Sequence, residues 1–209
     1  MKKPNPIFEQ HYKDYLAEVA GIDLSACSAI LGISLEADGK TAVIPYFGRD
    51  YRVSSGGIAD AHGKRPDYAT CLLLLKYLLL CPRRPPVDEE WVNYRDLKDS
   101  GPLTVYFSSN VLNVLSRRYS GRKSDLEAAA AGLGGRPPAR DYPYDVAAVI
   151  RPLPRVPVLL LFNDADDEFP AQAGVLFERR SERFLDAECL AVLAVALVDH
   201  FHAARLPDQ

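Results

Sequence analysis

No two cysteines in this chain lie close together in sequence. Cys27, Cys71, Cys81 and Cys189 form no C-x-x-C pair, which excludes a zinc knuckle and the common iron–sulfur ligand runs. Two of them fall inside apolar helical stretches, where a thiol behaves as a small hydrophobe. A reducing, cytoplasmic setting is therefore expected rather than a disulfide framework. Long apolar runs are missing as well. The longest, around residues 71–81 and 189–198, reach about half of the ~20 residues a membrane span needs, and Lys76 interrupts the first. Met1-Lys-Lys-Pro-Asn-Pro6 is not followed by an apolar stretch, so no secretory signal and no membrane partner are expected. Nor does one sign of charge dominate. With 25 basic and 28 acidic residues the formal charge is −3, which argues against broad nucleic-acid binding.

Several catalytic motifs are absent too. There is no G-x-S-x-G nucleophile elbow. Gly57-x5-Gly63-Lys64-Arg65 has one residue too many for a phosphate loop, and Arg65 stands where a magnesium-binding Ser or Thr belongs. Gly132-Leu-Gly134-Gly135 does not follow a strand and open an apolar helix, so it is no dinucleotide fingerprint. His200 and His202 are two apart on a helix and cannot form an i, i+4 metal pair.

What is present is an ordinary globular pattern of helices and short strands. The 209 residues suffice for one well-buried core or two small domains, and 48% apolar residues is typical of such proteins. Asn5, Pro6 and Gly21 bracket a first amphipathic helix carrying Phe8, Tyr12, Tyr15, Leu16 and Val19 on one face. Alternation at Leu31, Ile33 and Leu35 predicts a strand, and Asp38-Gly39 a hairpin turn. Strands over residues 41–47 and 49–54 complete a meander. Asp67 then caps an apolar helix that Pro82 stops. Residues 91–97 read as extended and 105–119 as an amphipathic helix. Glycines and prolines between Gly132 and Pro138 dissolve a helix at Ala128–Ala131 and predict a mobile connection around Gly134–Asp141. Strands over 146–153, 156–163 and 174–179 precede a helix capped by Asp186 and running to about His202.

The expected fold is therefore α+β, a mixed or antiparallel sheet of short meander strands with long apolar helices packed against it. The chain reads as a single domain, 1–209, with sub-units 22–82 and 142–204 joined by the helical and Gly/Pro-rich segment 83–141. Each sub-unit runs as three strands and an apolar helix. Two degenerate βββα units joining one sheet is one arrangement of this order, and an α+β domain without symmetry is the one that carries more weight.

The densest cluster of candidate ligands lies between the last strands, in Asp164-Ala-Asp166-Asp167-Glu168-Phe169-Pro170. Neighbouring carboxylates repel unless water, a cation or basic side chains compensate, and hard cations favour oxygen ligands. The calcium-loop spacing fails. With Asp164 first, the sixth residue is Phe169 where glycine is required, and the twelfth is Val175 where glutamate is required. A solvated hairpin turn paired with Arg155 or Arg151 is the simpler reading. His62, in a Gly-rich loop, is the better candidate among the histidines for acid–base work. Arg117, Arg118, Arg122 and Lys123 and the trio Arg179, Arg180, Arg183 are basic clusters suited to anions. Tyr46, Tyr51, Trp91, Tyr94 and Tyr106 are aromatics with polar tips suited to a pocket lining.

The order Gly48-Arg-Asp-Tyr51, the leucine run at 72–80, Trp91-Val-Asn-Tyr-Arg95-Asp-Leu97, Leu153-Pro-Arg-Val-Pro157, Asp167-Glu-Phe-Pro170 and Leu185-Asp-Ala-Glu188 resembles a known family. It is similar to the bacterial family called domain of unknown function 3786, found largely in anaerobes, over about residues 8–202. The resemblance implies no assigned activity. Some similar proteins carry an added cysteine-rich iron–sulfur segment that this chain lacks. The family's habitat implies an accessory role in anaerobic cofactor or redox metabolism.

Three functions fit. The first is a non-catalytic module that binds a small ligand or partner protein through Arg155, Asp164, Asp167, Glu168, Phe169 and His62, with no assigned cofactor or resident metal. The second is a divalent-cation-dependent enzyme built on residues 164–168. The third is a structural subunit that docks by an apolar face. Oligomeric state is not legible in the sequence.

Overall fold

A computed structural model describes residues 6–203, so the expected cap at Asn5 lies outside the described residues. The chain divides into two compact units. The first takes the described residues up to Pro86 together with Leu153–Arg155 and Arg183–Leu185. The second takes Val87–Pro152, Val156–Glu182 and the described residues from Asp186 onward.

In the first unit the helices Pro6–Val19 (α1) and Leu24–Leu31 (α2) precede the strands Ser34–Leu35 (β1), Ala42–Tyr46 (β2), Arg49–Ser54 (β3) and Gly57–Ala59 (β4). These form an antiparallel meander in chain order. The helix Tyr68–Leu79 (α3) follows, and Asp67 caps it by accepting from the Thr70 amide and hydroxyl. Seven α3 residues are buried, six of them Leu, Cys or Tyr with no exposed surface, which makes α3 the core of the unit. Tyr12 joins α1 to the sheet by accepting the Ile58 amide proton at 3.1 Å.

One expected strand is a helix. The Asp23 carboxylate accepts from the Ser25 and Ala26 amides, and Gly32 ends the helix in the left-handed region at φ 69°. Leu31 is therefore the last residue of α2, and only Ser34 and Leu35 pair as strand. A cap and a terminal glycine outweighed a three-residue alternation.

The second unit holds the strand Trp91–Asn93 (β5), then Thr104–Phe107 (α4), Asn113–Tyr119 (α5) and Lys123–Gly132 (α6). Next come Val146–Leu153 (β6), Val156–Asn163 (β7), Gln172–Glu178 (β8) and the helix Ala187–Ala203 (α7). A π-helical stretch, Ser108–Leu112, joins α4 to α5 with helical backbone angles at both junctions. The sheet order is β5-β8-β7-β6. The β7 strand is buried at every residue but its last. The strands thus form two antiparallel sheets rather than joining in one, because each meander pairs within itself. The Gly/Pro-rich connection is tied down at Arg136, whose backbone exchanges two hydrogen bonds with Val149. Glycine is needed just before it, since a Cβ on Gly135 would lie 2.6 Å from the Ala130 carbonyl oxygen.

Candidate functional site

The acidic loop is shaped by its own carboxylates. Asp164 Oδ1 accepts from the Gly121 amide at 2.6 Å, and the Asp164 amide donates to Asp145. Asp145 also pairs with Lys123 at 3.2 Å. These amide and lysine contacts hold the Asp145 carboxyl below the usual range, the Asp164 amide being the largest influence. Asp166 Oδ1 accepts from the Glu168 and Phe169 amides and closes the turn. Asp167 and Glu168 stay exposed, and Phe169 is 60% exposed. Among the described residues no three His, Cys, Asp or Glu side chains group in a way that could hold a metal ion.

Arg155 belongs to the first unit. Its guanidinium donates to the Ile30 and Ala29 carbonyls at 3.1 and 3.0 Å, which satisfies acceptors at the C-terminal end of α2. Its amide donates to the Tyr77 hydroxyl, which in turn donates to the Leu31 carbonyl at 2.6 Å. Burial pushes the Tyr77 phenol up, so it stays a donor. His62 also lies in the first unit, on a turn whose His62 and Lys64 amides donate to Asp60. Arg155 and His62 belong to one unit and the acidic loop to the other.

A cavity of about 290 Å³ opens in the second unit instead. One side is Ala173-Gly174-Val175 of β8, a second is Thr104 and Phe107 of α4 with Ser108 at the start of the π-helical stretch, and a third is Asn93 at the end of β5 with Tyr94 and Arg95. Each side has a physical reason. Gly174 borders the cavity with its backbone, and a Cβ there would meet the Leu161 and Leu176 side chains at 3.5 Å. The wide turn re-aims the residues it carries, and π-bulges are frequent at functional sites. The third side is a short 3-10 turn, Tyr94–Asp96, locked by the buried Ser100 hydroxyl, which bonds the Arg95 and Leu97 carbonyls.

The floor is aromatic. Tyr94 and Phe107 stack at 4.3 Å with planes 3° apart, and Phe107 meets Phe177 edge-on at 6.3 Å. The Tyr94 hydroxyl donates to the Ala187 carbonyl, and burial together with Asp186 and Glu188 pushes its pKa up to about 12. The Arg95 side chain, of the same lining, is exposed and only loosely paired, 3.8 Å from Asp96. The Asn93 amide group, which donates to Asp96, and the Ser108 hydroxyl add polar edges. Sequence reasoning had singled out Tyr94 as a pocket aromatic but not Arg95, Ser108 or Gly174. Gly174 inside an apolar strand was the available signal.

Residues 23–200 match the family described as domain of unknown function (DUF3786). No curated protein and no solved structure matches the chain.

Proposed function

Because the chain belongs to the DUF3786 family, whose description assigns no activity, we propose a function from its geometry: a non-catalytic binding module for a small ligand with an apolar body and an anionic end. The cavity beside Gly174 carries this reading. Its volume of about 290 Å³ sits at the lower end of small-molecule sites, ~300–1,000 Å³. A flat apolar group meets the Tyr94–Phe107 stack, and a carboxylate or phosphate meets Arg95, whose planar fork suits either. Binding without chemistry is favoured because burial keeps the Tyr94 phenol protonated, and the described lining carries no carboxylate, imidazole or thiol. An accessory role in anaerobic cofactor or redox metabolism is part of this proposal.

The probes are benzoate and phenyl phosphate, with benzyl alcohol as the neutral comparison, each titrated by two-dimensional NMR. Saturable shifts are expected around Asn93–Arg95 and Ala173–Val175 for the anions. Arg95→Ala should weaken them about tenfold to a hundredfold, since a hydrogen bond to a charged group contributes ~1.5–3 kcal/mol. Ala173→Phe, on the β8 face that meets Phe107, should obstruct the cavity and abolish binding of all three. Anion shifts that persist in folded Ala173→Phe protein, or no saturable shift with any probe, would overturn the proposal.

A further inference from the structure

The fold brings together two cysteines that are remote in sequence. Cys27 lies on α2 and Cys81 just beyond the end of α3, both in the first unit and both only partly buried. The Cys81 thiol interacts with that of Cys27, and α2 packs against α3. The elements that carry them are already tied, since the Tyr77 hydroxyl of α3 bonds the Leu31 carbonyl of α2. Asp23 fixes the first turn of α2, and Pro82 follows Cys81 directly. The other two cysteines, Cys71 and Cys189, are buried.

We propose that Cys27 and Cys81 form a redox-responsive dithiol, oxidised by a hydroperoxide to an intramolecular disulfide. This site is independent of the ligand cavity, which belongs to the second unit. Burial and the bond to Cys27 push the Cys81 thiol up to about 12, so Cys81 keeps its proton and Cys27 reacts first. The Cys27 thiolate attacks the peroxide oxygen, forming S–O and breaking O–O, and the leaving hydroxide takes a proton to become water. The Cys81 sulfur then attacks the sulfenic sulfur of Cys27. S–S forms, S–O breaks, and the Cys81 proton leaves with the hydroxyl as a second water. Two thiols are oxidised by two electrons and one hydrogen peroxide is reduced to two waters. The product closes the loop from residue 27 to residue 81, which restricts the unfolded chain and raises the melting temperature.

The test treats the full chain with hydrogen peroxide, denatures it, alkylates the remaining thiols and maps the peptides by mass spectrometry. The expected product lacks two hydrogens, contains a Cys27–Cys81 linked peptide, leaves Cys71 and Cys189 alkylated, and reverts with dithiothreitol. Its melting temperature exceeds that of the reduced protein. Cys27→Ser and Cys81→Ser should each remove the linked peptide, and Cys81→Ser should leave Cys27 to be oxidised with added oxygen. Wild-type protein that gains oxygen at Cys27 or Cys81 without a linked peptide would overturn the inference. So would a bridge that engages Cys71 or Cys189, or that joins two chains. The wild-type map decides the matter even if a serine variant fails to fold.

Discussion

At Glu178 burial and pairing pull in opposite directions. The carboxylate is 7% exposed, and desolvation pushes its pKa up more strongly than Arg180 pulls it down. Arg180 Nε lies 2.6 Å from Glu178, and its other arm reaches Glu89. Because the folded pKa lies above the unfolded one, the folded state favours the protonated acid. Stability from this group is therefore greatest at low pH and is lost as pH rises past the ordinary glutamate value toward the folded one. Arg180→Met removes the lowering influence and leaves an ionised carboxylate unpaired at neutral pH. A loss of about 3 kcal/mol is expected at about pH 7, the low end for a broken buried pair. The bond to exposed Glu89 adds little. Urea unfolding at about pH 4 should show a much smaller deficit, because protonation removes the buried charge. An equal deficit at both pH values would assign the loss to packing of the arginine stem and not to charge.

The elements differ in how plainly the sequence announced them. The β3, β6 and β7 strands and the starts of α3 and α7 match the residues read from alternation and from the Asp67 and Asp186 caps. Those signals are local, so a single sequence carries them. The α2 helix was missed because Leu31, Ile33 and Leu35 alternate like a strand, while the Asp23 cap and Gly32 stop that decide the matter lie at the two ends. The cavity was missed for a different reason. It joins a strand glycine, a widened helical turn and a 3-10 turn that are remote in sequence, and none of the three is unusual alone. The closeness of Cys27 and Cys81 is likewise a product of packing and not of spacing.

The end of α2 gives the sharpest element-level test. Gly32 has φ 69°, and an added Cβ would stand 3.2 Å from Arg155 Nε and from Pro154 Cβ. Gly39 has a similar φ of 63° with nothing within 4 Å. Both alanine variants bear the left-handed penalty of ~1–2 kcal/mol, but only Gly32→Ala must also displace the arginine that caps α2. Gly32→Ala should therefore destabilise by about 1 kcal/mol more than Gly39→Ala, the scale of a lost cap. Matched urea midpoints for the two variants would mean that Arg155 contributes nothing at this helix end.

On the scale of the whole molecule, the first unit is discontinuous in the chain. It includes Leu153–Arg155 and Arg183–Leu185, each reached only after a long run of residues in the second unit. The late residues are structural parts of it. Arg155 bonds the last carbonyls of α2, and Phe184, 2% exposed, lies 6.2 Å from the Tyr77 ring. A fragment of residues 1–86 carries all four strands of the first sheet but neither of these supports. Without them Tyr77 loses a ring neighbour and α2 loses its cap, and exposing even one such aromatic forfeits ~1.5–3 kcal/mol. That is a large part of the 5–15 kcal/mol by which domains are stable. Cys71 reports on this, because it is buried in the unit and free to alkylate once the unit opens. In the fragment Cys71 should react with iodoacetamide at close to the rate of the urea-unfolded chain, whereas the full chain should protect it strongly. A fragment that protects Cys71 as well as the full chain does would show that residues 1–86 fold alone and that the two late segments are accessories to a unit already complete.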